Sequence, residues 1–372
     1  MNGERKHIVF IVRWYPHRHD PMFGLFVQRH AEAAALYNDI SVVYVHLDND
    51  NDIVDETINN VRTIRVYYKK SKSKSLSLFR YFRANKLAFK RLSKPDIIHV
   101  HVLTRLGLIA LWHKIFHGTP YVITEHWSRY LPGNEFGGFF RKRLTKVIVK
   151  HASAVTTVTE ILAKAMQGHG LNNSNYIIVP NVVNVNMFKP MPHQNTTPKI
   201  AHISCFENKS KNITGLIDAL KILENRNICF ECVLIGDGID FEITKEHSKI
   251  LKNQKNIRFT GVLEGQALVD ELACSDFLVL SSNYETQGIV LLEAFACGLP
   301  VVSTNVGGIP EIVDKSNGLL VPPHDAEKLA DAMQTMLRTY SNYDADTLRD
   351  MVTKKFSNES VGKLLDSIYK SL

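Results

Sequence analysis

The chain has 372 residues, 45% of them hydrophobic, and a formal charge of +8 at pH 7, more than one core of ordinary size organises, so two globular domains are expected. No apolar run approaches the length that crosses a bilayer, and after the charged start MNGERKH the apolar IVFIV is too short for a signal peptide. The five cysteines are odd in number, and Cys229-x-x-Cys232 has no second pair, so neither a disulfide framework nor a zinc site is expected, and a reducing cytoplasm is.

In chain order, His7–Val12 reads as a buried strand, followed by the loop RWYPHRHDPMFG and a helix from Leu25 to Leu36. Gly24 stands at the mouth of that helix, where a missing Cβ lets backbone approach a ligand. His17 and His19 read as solvated. After the strand Ile40–Leu47, Asp48-Asn49-Asp50 reads as a turn, because no Gly or Glu completes a cation loop. Between Lys69 and Lys94 there are ten Lys or Arg and no Asp or Glu. A helical period sets Leu78, Phe82, Phe89 and Leu92 on one face and Arg80, Arg83, Lys90, Arg91 and Lys94 on the other. Two readings stand for this basic helix, 76–94: it lies on an anionic membrane surface, or it packs its apolar face into the domain. Both hold if it docks inward with its basic face toward lipid headgroups. No nucleic-acid motif accompanies the charge.

Two further strands, Pro95–His101 and Pro120–His126, end in polar residues. His99 and His101 share a face and read as structural. The stretch WSRYLPGNEFGGFFRKRLTKVIVK is aromatic and basic, suited to lining an acceptor site, with Phe139 to Arg143 as a second membrane contact. Ala154–Val158 is a strand, and Thr159-Glu160 enters a helix. The polar, Pro-rich MPHQNTTPK after Val179–Asn184 reads as an interdomain linker.

The second half begins with the strand Ile200–Phe206, then ENKSKN and the helix ITGLIDALKIL. Lys211 stands just before that helix, where a cation opposes the helix dipole unless an anion lies between, so phosphate neutralisation is expected. Val233–Ile235 leads into the tight turn Gly236-Asp237-Gly238, and Ile257–Val262 is another strand. Phe277–Leu280 reads as a buried parallel strand. Its carboxyl end opens into SSNYETQGIVLLEAFACGLP, the place where an open α/β sheet takes its ligand. Glu285 and Glu293 are eight positions apart; if the residues between are mostly helical, the two face the same side. Carboxylates accept hydrogen bonds from sugar hydroxyls, and the N–H groups of Gln287, Gly288 and Ile289 are suited to a phosphate, which together indicate a nucleotide-sugar. The plainer alternative is a helix cap at Glu285 and a solvated Glu293.

These residues resemble the retaining nucleotide-sugar glycosyltransferases of family 4. The family's Glu-x7-Glu-Ala, Gly-x-Pro and Gly-Gly-x-x-Glu pieces are matched by Glu285 to Glu293-Ala294, Gly298-Leu299-Pro300 and Gly307-Gly308-Ile309-Pro310-Glu311. The resemblance implies an α/β GT-B fold of two Rossmann-like, doubly wound domains facing across a cleft. It assigns 1–180 to the acceptor side and 181–357 to the nucleotide-sugar side, with a final helix, 358–372, packing back on the first domain. It further implies retaining transfer of a hexose-type sugar from a nucleotide-sugar to a glycan or lipid-linked acceptor in cell-surface polysaccharide biosynthesis. No metal or other cofactor is expected, and the location is cytoplasmic, peripheral on the inner face of the membrane. The catalytic residues it implies are His126, Lys211 and Glu285. The donor contacts it implies are Gly24, Lys209, Lys211, Gly236, Val262, Glu285, Thr286, Gln287, Gly288, Ile289 and Glu293, the last on the ribose.

Two departures from the family pattern bear on these expectations. The family's arginine before the lysine is absent, with Lys209 as its stand-in, and Thr286-Gln287 replaces Gly-Phe, so donor preference stays open. Two other classes remain: a nucleotide-sugar epimerase of GT-B architecture, and a non-catalytic sugar- or membrane-binding protein.

Overall fold

The structure, a computed structural model, describes residues 5–134 and 136–372. The first four residues of the charged start and Glu135 of the aromatic, basic stretch lie outside the described residues. The chain forms two compact units: one runs to Val182 and regains Asn358–Leu372, and the other is Val183–Ser357.

The first unit contains strands β1 (His7–Val12), β2 (Asp39–Asp48), β3 (Asp52–Ile58), β4 (Val61–Lys69), β5 (Ile97–His101), β6 (Tyr121–Glu125), β7 (Ala154–Thr157) and β8 (Tyr176–Ile178). Between them lie helices α1 (Leu25–Ala35), α2 (Lys74–Phe89), α3 (Leu106–His117), α4 (Phe139–His151) and α5 (Glu160–Gly168). The sheet order is β3-β4-β2-β1-β5-β6-β7-β8. β1 pairs in parallel with β2 (His7 opposite Asp39) and β5 (Ile8 opposite Ile97), while β3 pairs antiparallel with β4. Buried on both faces, β1, β5 and β6 are near-continuous apolar runs, as parallel strands require.

The β3–β4 hairpin lies outside the sequence reading. Its turn, Asn59-Asn60, holds both residues left-handed (φ 50° and 62°), the pair of positive φ values that a two-residue hairpin loop needs and asparagine tolerates. Helix α2 packs inward, with Tyr81, Ala84, Asn85 and Ala88 buried and Phe82, Phe89 and Leu92 beside them. Leu78, expected on that face, is exposed, because burial along the helix begins only at Tyr81.

The second unit contains β9 (Lys199–Ile203), β10 (Glu231–Ile235), β11 (Ile257–Gly261), β12 (Phe277–Leu280), β13 (Val301–Thr304) and β14 (Gly318–Val321). Its helices are α6 (Asn208–Lys211), α7 (Ile213–Asn225), α8 (Phe241–His247), α9 (Gly265–Ala273), α10 (Ile289–Ala296), α11 (Ala326–Thr339) and α12 (Ala345–Phe356). The sheet is parallel in the order β11-β10-β9-β12-β13-β14. Arg349 on α12 ties the unit together, donating from Nη1 to the carbonyls of Phe188 (2.7 Å) and Ala296 (3.0 Å) and from Nη2 to that of Val185 (2.7 Å).

The last helix, α13 (Asn358–Lys370), belongs to the first unit and buries Val361, Leu365, Ile368 and Tyr369. It crosses α1 so closely that a Cβ at Gly362 would meet the Ala33 carbonyl at 2.3 Å. No helix among the described residues is long and apolar enough to cross a membrane.

Candidate functional site

In the second sheet the chain leaves β9 toward β10 on one side and later returns as β12 on the other. Such a reversal opens a crevice at the carboxyl ends of the two strands, where open α/β sheets take ligands. Three strand exits are laced together there. Ser281 Oγ donates to the Lys211 carbonyl (2.9 Å), Asn283 N to the Ser210 carbonyl (2.8 Å) and Asn283 Nδ2 to that of Lys209 (3.0 Å). Thr304 Oγ1 at the end of β13 donates to the Ser282 carbonyl (2.6 Å). Gly307 is left-handed (φ 51°), and a Cβ there would stand 1.7 Å from the Glu285 carbonyl oxygen, so only glycine fits.

This lacing brings Lys211 Nζ onto Glu285 Oε1, an oxygen that also accepts from Ser282 Oγ at 2.9 Å. The pair is mostly buried, with 19% and 12% of the two side chains exposed. Burial pulls the Lys211 pKa down, but Glu285 and its neighbours outweigh that and hold it above the usual lysine value. Lys209, on the same short helix, is exposed.

Glu285 lies in a loop and Glu293 on α10, so the helical spacing expected between them is not what relates them. α10 opens at Ile289 after Gly288 (φ 78°) with no side-chain cap, so no side chain occupies the positive end of its dipole, although Leu291 N–H already donates to the Gly288 carbonyl (3.0 Å). Gln287, Gly288 and Glu293 are buried, and Thr286 and Ile289 partly so. Glu293 lies near Cys297, whose thiol burial pushes up to about 12. Gly236, left-handed at the exit of β10, lies against the Ser204 carbonyl, where a Cβ would come within 1.9 Å. Val262 follows the edge strand β11 and is exposed.

The first unit repeats this logic at β1, which has β2 on one side and β5 on the other. Gly24 (φ 69°) caps α1 so close to the chain after β1 that a Cβ would meet the Trp14 carbonyl carbon at 2.4 Å. Val102, just past β5, is left-handed at φ 64° and fully buried. For a β-branched residue that is local strain of about 1–3 kcal/mol, a cost found mostly at functional sites.

His126 is 5% exposed and hydrogen-bonded at both ring nitrogens. Its Nδ1–H donates to Asn181 Oδ1 (3.2 Å), which leaves Nε2 to accept from His101 Nδ1–H (3.2 Å). His30 donates from Nε2 to the Pro180 carbonyl (2.9 Å). The remaining nitrogens, His30 Nδ1 and His101 Nε2, are buried without a hydrogen-bond partner. Burial holds all three imidazoles neutral, with His30 lowered to about 4 and His101 and His126 well below the usual value. One ring nitrogen from each lies within 4.8 Å of the others, and among the described residues this is the group able to hold a metal ion. His99 is a separate core member, bonded to Tyr369 Oη and Thr124 Oγ1 at 2.6 Å each.

His126 does not line the large cavity of this unit, which encloses about 710 Å³ at the exits of β1, β2, β5 and β6. Arg13, Arg105, Arg129 and Arg141 line it among Trp14, Trp127 and several tyrosines, and among the described residues no Asp or Glu does. Arg129 and Arg141 come from the stretch expected to line an acceptor site. Arg13 and Arg105 were missed; their signal is position, each one to four residues past a strand that the sequence did reveal.

A family model described as Glycosyl transferases group 1 matches residues 185–354, and one described as Glycosyltransferase Family 4 matches residues 26–187. The chain is 31% identical over 173 residues to N-acetyl-alpha-D-glucosaminyl L-malate synthase of Bacillus anthracis, a match to 46% of this chain and 44% of that one. It thus aligns with less than half of that relative's length. It is 25% identical over 292 residues to the putative teichuronic acid biosynthesis glycosyltransferase TuaC of Bacillus subtilis, covering 75% of this chain and 71% of that one. Among solved structures it resembles sucrose-phosphate synthase of Thermosynechococcus elongatus (TM-score 0.80, 21% identity, 99% of each chain). It also resembles Anabaena HepE in complex with UDP and glucose (TM-score 0.75, 18% identity, 99% of this chain and 100% of that one). At these identities the structural likeness concerns the fold.

Proposed function

Because the chain belongs to the group 1, family 4 glycosyltransferases of GT-B fold, we propose that it transfers a hexose-type sugar, with retention, from a nucleotide-sugar to a glycan or lipid-linked acceptor. The observation that carries this reading is the Lys211–Glu285 pair at the β9/β12 crevice, beside the uncapped N-terminus of α10. A diphosphate needs cations and N–H donors, a sugar needs carboxylate acceptors, and both kinds of group converge there.

In the reaction the C1–O bond to the diphosphate breaks and its electron pair leaves with the nucleoside diphosphate. In this reading Lys211 and the N-terminal amides of α10 stabilise the charge that develops, without a metal. Glu285, held by Lys211 and Ser282, orients donor-sugar hydroxyls, and Glu293 takes the ribose. The acceptor hydroxyl forms the new bond to C1 on the face the diphosphate leaves, and its proton passes to the departing phosphate oxygen. Work at the cytoplasmic surface of a membrane, in building cell-surface polysaccharide, fits the basic α2 and α4.

The test is a thermal-shift titration of wild-type and Glu293→Ala protein with UDP, GDP, ADP and their sugars. At a hundredfold excess over Kd a ligand adds about 2.7 kcal/mol to stability. One nucleotide raising the wild-type Tm, with the shift lost in the variant, supports the reading; no shift with any nucleotide overturns it.

A further inference from the structure

Among the described residues, the arginine-lined cavity of the first unit holds cations with no carboxylate in its lining. Arg129 lies with its guanidinium 3.8 Å over the Trp127 ring, and its Nε is buried with no hydrogen-bond partner. Burial lowers its pKa, the direction expected of a cation short of counter-charge. Glu125, whose field reaches Arg129, is fully buried and already accepts from three backbone amides, Leu103, His126 and Trp127. Among the described residues no carboxylate forms an ion pair with Arg13, Arg105, Arg129 or Arg141. Four guanidinium groups among aromatic rings suit a ligand that is anionic at one end and apolar at the other.

Helix α4 has two faces. Arg141, Leu144, Thr145 and Ile148, spaced as one helical stripe, line the cavity. Phe139, Phe140, Arg143, Lys146 and Val147 line a shallow outer groove, and Leu144 borders both. Phe140 is 85% exposed and Phe139 67%. The adjacent α3 exposes Ile115 and Phe116, and neither helix carries an Asp or Glu. Exposed aromatic residues flanked only by cations are complementary to an anionic lipid surface.

We propose that this cavity takes the phosphate end of a lipid-borne acceptor, which an anionic membrane presents against the outer face of α4. The inference rests on the transferase reading and adds to it the chemistry of the acceptor. The acceptor's charge is held by Arg105, Arg129 and their two neighbours, its first apolar carbons lie against the aromatic lining, and its chain continues past Leu144 to the lipid. The carboxyl ends of β1 and β5 thus hold an anion, as those of β9 and β12 do in the second unit.

The chain has three tryptophans, of which Trp14 and Trp127 line the cavity. A Trp112→Phe background therefore reports cavity binding by fluorescence. A short-chain prenyl diphosphate is titrated against the prenyl alcohol and against inorganic pyrophosphate, with Arg105→Gln and Arg129→Gln as variants; Arg105 is exposed, so its replacement spares the fold. The prenyl diphosphate is expected to bind about tenfold or more tighter than either control, and each arginine variant to weaken it by about tenfold. Nucleotide-dependent thermal shifts in the variants are expected to stay as in wild type. In flotation with phosphatidylglycerol vesicles, Phe139→Ser/Phe140→Ser is expected to lose membrane binding while keeping prenyl diphosphate binding in solution.

Arginine variants that bind as wild type, or an alcohol or pyrophosphate that binds as well as the prenyl diphosphate, overturn the inference. So does wild-type protein that does not float with the vesicles. A nucleotide shift without prenyl diphosphate binding sinks this inference alone, whereas the converse sinks the transferase reading and with it the ligand's role as acceptor, leaving only the cavity's affinity for a lipid phosphate.

Discussion

Lys211 Nζ and Glu285 Oε1 form an ion pair across 74 residues of sequence. The lysine follows β9 and the glutamate follows β12, and the two meet because those strands are neighbours in the sheet. Lys211→Met should leave Glu285 mostly buried without its cation, costing about 3–5 kcal/mol of stability and at least about a hundredfold in transfer rate. Lys211→Met/Glu285→Leu should regain much of the stability and none of the activity. Chemical denaturation alongside a transfer assay separates the two; a double variant no more stable than the single one refutes the pairing.

Gly307 tests the lacing of the loops. Gly307→Ala drives a Cβ into the Glu285 carbonyl, whereas Gly118→Ala, at φ 69° on the C-cap of α3, meets nothing within 4 Å. The second change should cost about 1 kcal/mol of backbone strain. The first should cost more than that and abolish the nucleotide-dependent thermal shift, because Glu285 moves with its carbonyl. Equal effects on both measures would show that the β13 exit does not position Glu285.

The buried imidazoles make stability depend on pH. His30 and His202 are lowered to about 4 by burial, against roughly 6.5 in the unfolded chain. Between those values the unfolded chain binds more protons, so stability is full above about pH 6.5 and falls as pH drops toward 4, by roughly 3 kcal/mol for each of the two. Urea denaturation across this range should show the fall, and His30→Gln should make it shallower, leaving the share of His202 and the other buried imidazoles. An unchanged slope in that variant would mean that His30 is not the titrating group.

Glu125 acts in the opposite sense. Burial raises its carboxyl to about 7 against the three backbone amides that lower it, so the native state binds the extra proton between about 4.5 and 7. Its contribution is therefore present at low pH and lost as pH rises through 7. Glu125→Gln sets an amide NH₂ against backbone N–H groups and should cost about 1–3 kcal/mol below about pH 4.5, and less above about pH 7, where the wild type has lost this contribution. A neutral result in calorimetry would mean that the loop after β6 re-forms its bonds elsewhere.

Arg349 holds three carbonyls that no neighbour in sequence supplies. Arg349→Lys keeps the charge but loses the planar fork, and should destabilise the second unit by about 1.5–3 kcal/mol with donor affinity unchanged. A matched fall in donor affinity would tie α12 to the site instead.

Much of this protein is legible from its residues in order. The strands β1, β5, β6, β9, β10 and β12 are apolar runs between polar exits, so burial on both faces of a parallel sheet announces itself locally. Glu285, Glu293 and the glycine turns stand at fixed spacings in one segment, so a motif holds them and the family follows. Lys211 is legible for the same reason, as a cation placed where a helix dipole disfavours it. The β3–β4 hairpin was legible in its Asn-Asn turn and overlooked beside the basic run that follows it.

Other relationships exist only in three dimensions. Strand order decides which exits are neighbours: β1 beside β5 brings Arg13 and Arg105 into one cavity with Arg129 and Arg141, and nothing in their spacing marks them as a set. The same packing takes His126 away from that cavity and joins it to His101 and Asn181, whose side chains meet it only in the folded first unit. It also decides which side of an amphipathic helix meets solvent, exposing Phe139 and Phe140 while burying Tyr81. Periodicity and motif are carried by neighbours along the chain, so the sequence alone determined the strands, the family and the motif from Glu285 to Glu293. Burial, pairing and the convergence of charge depend on which distant segments meet, so only the tertiary structure decided the arginine cavity and the Lys211–Glu285 pair.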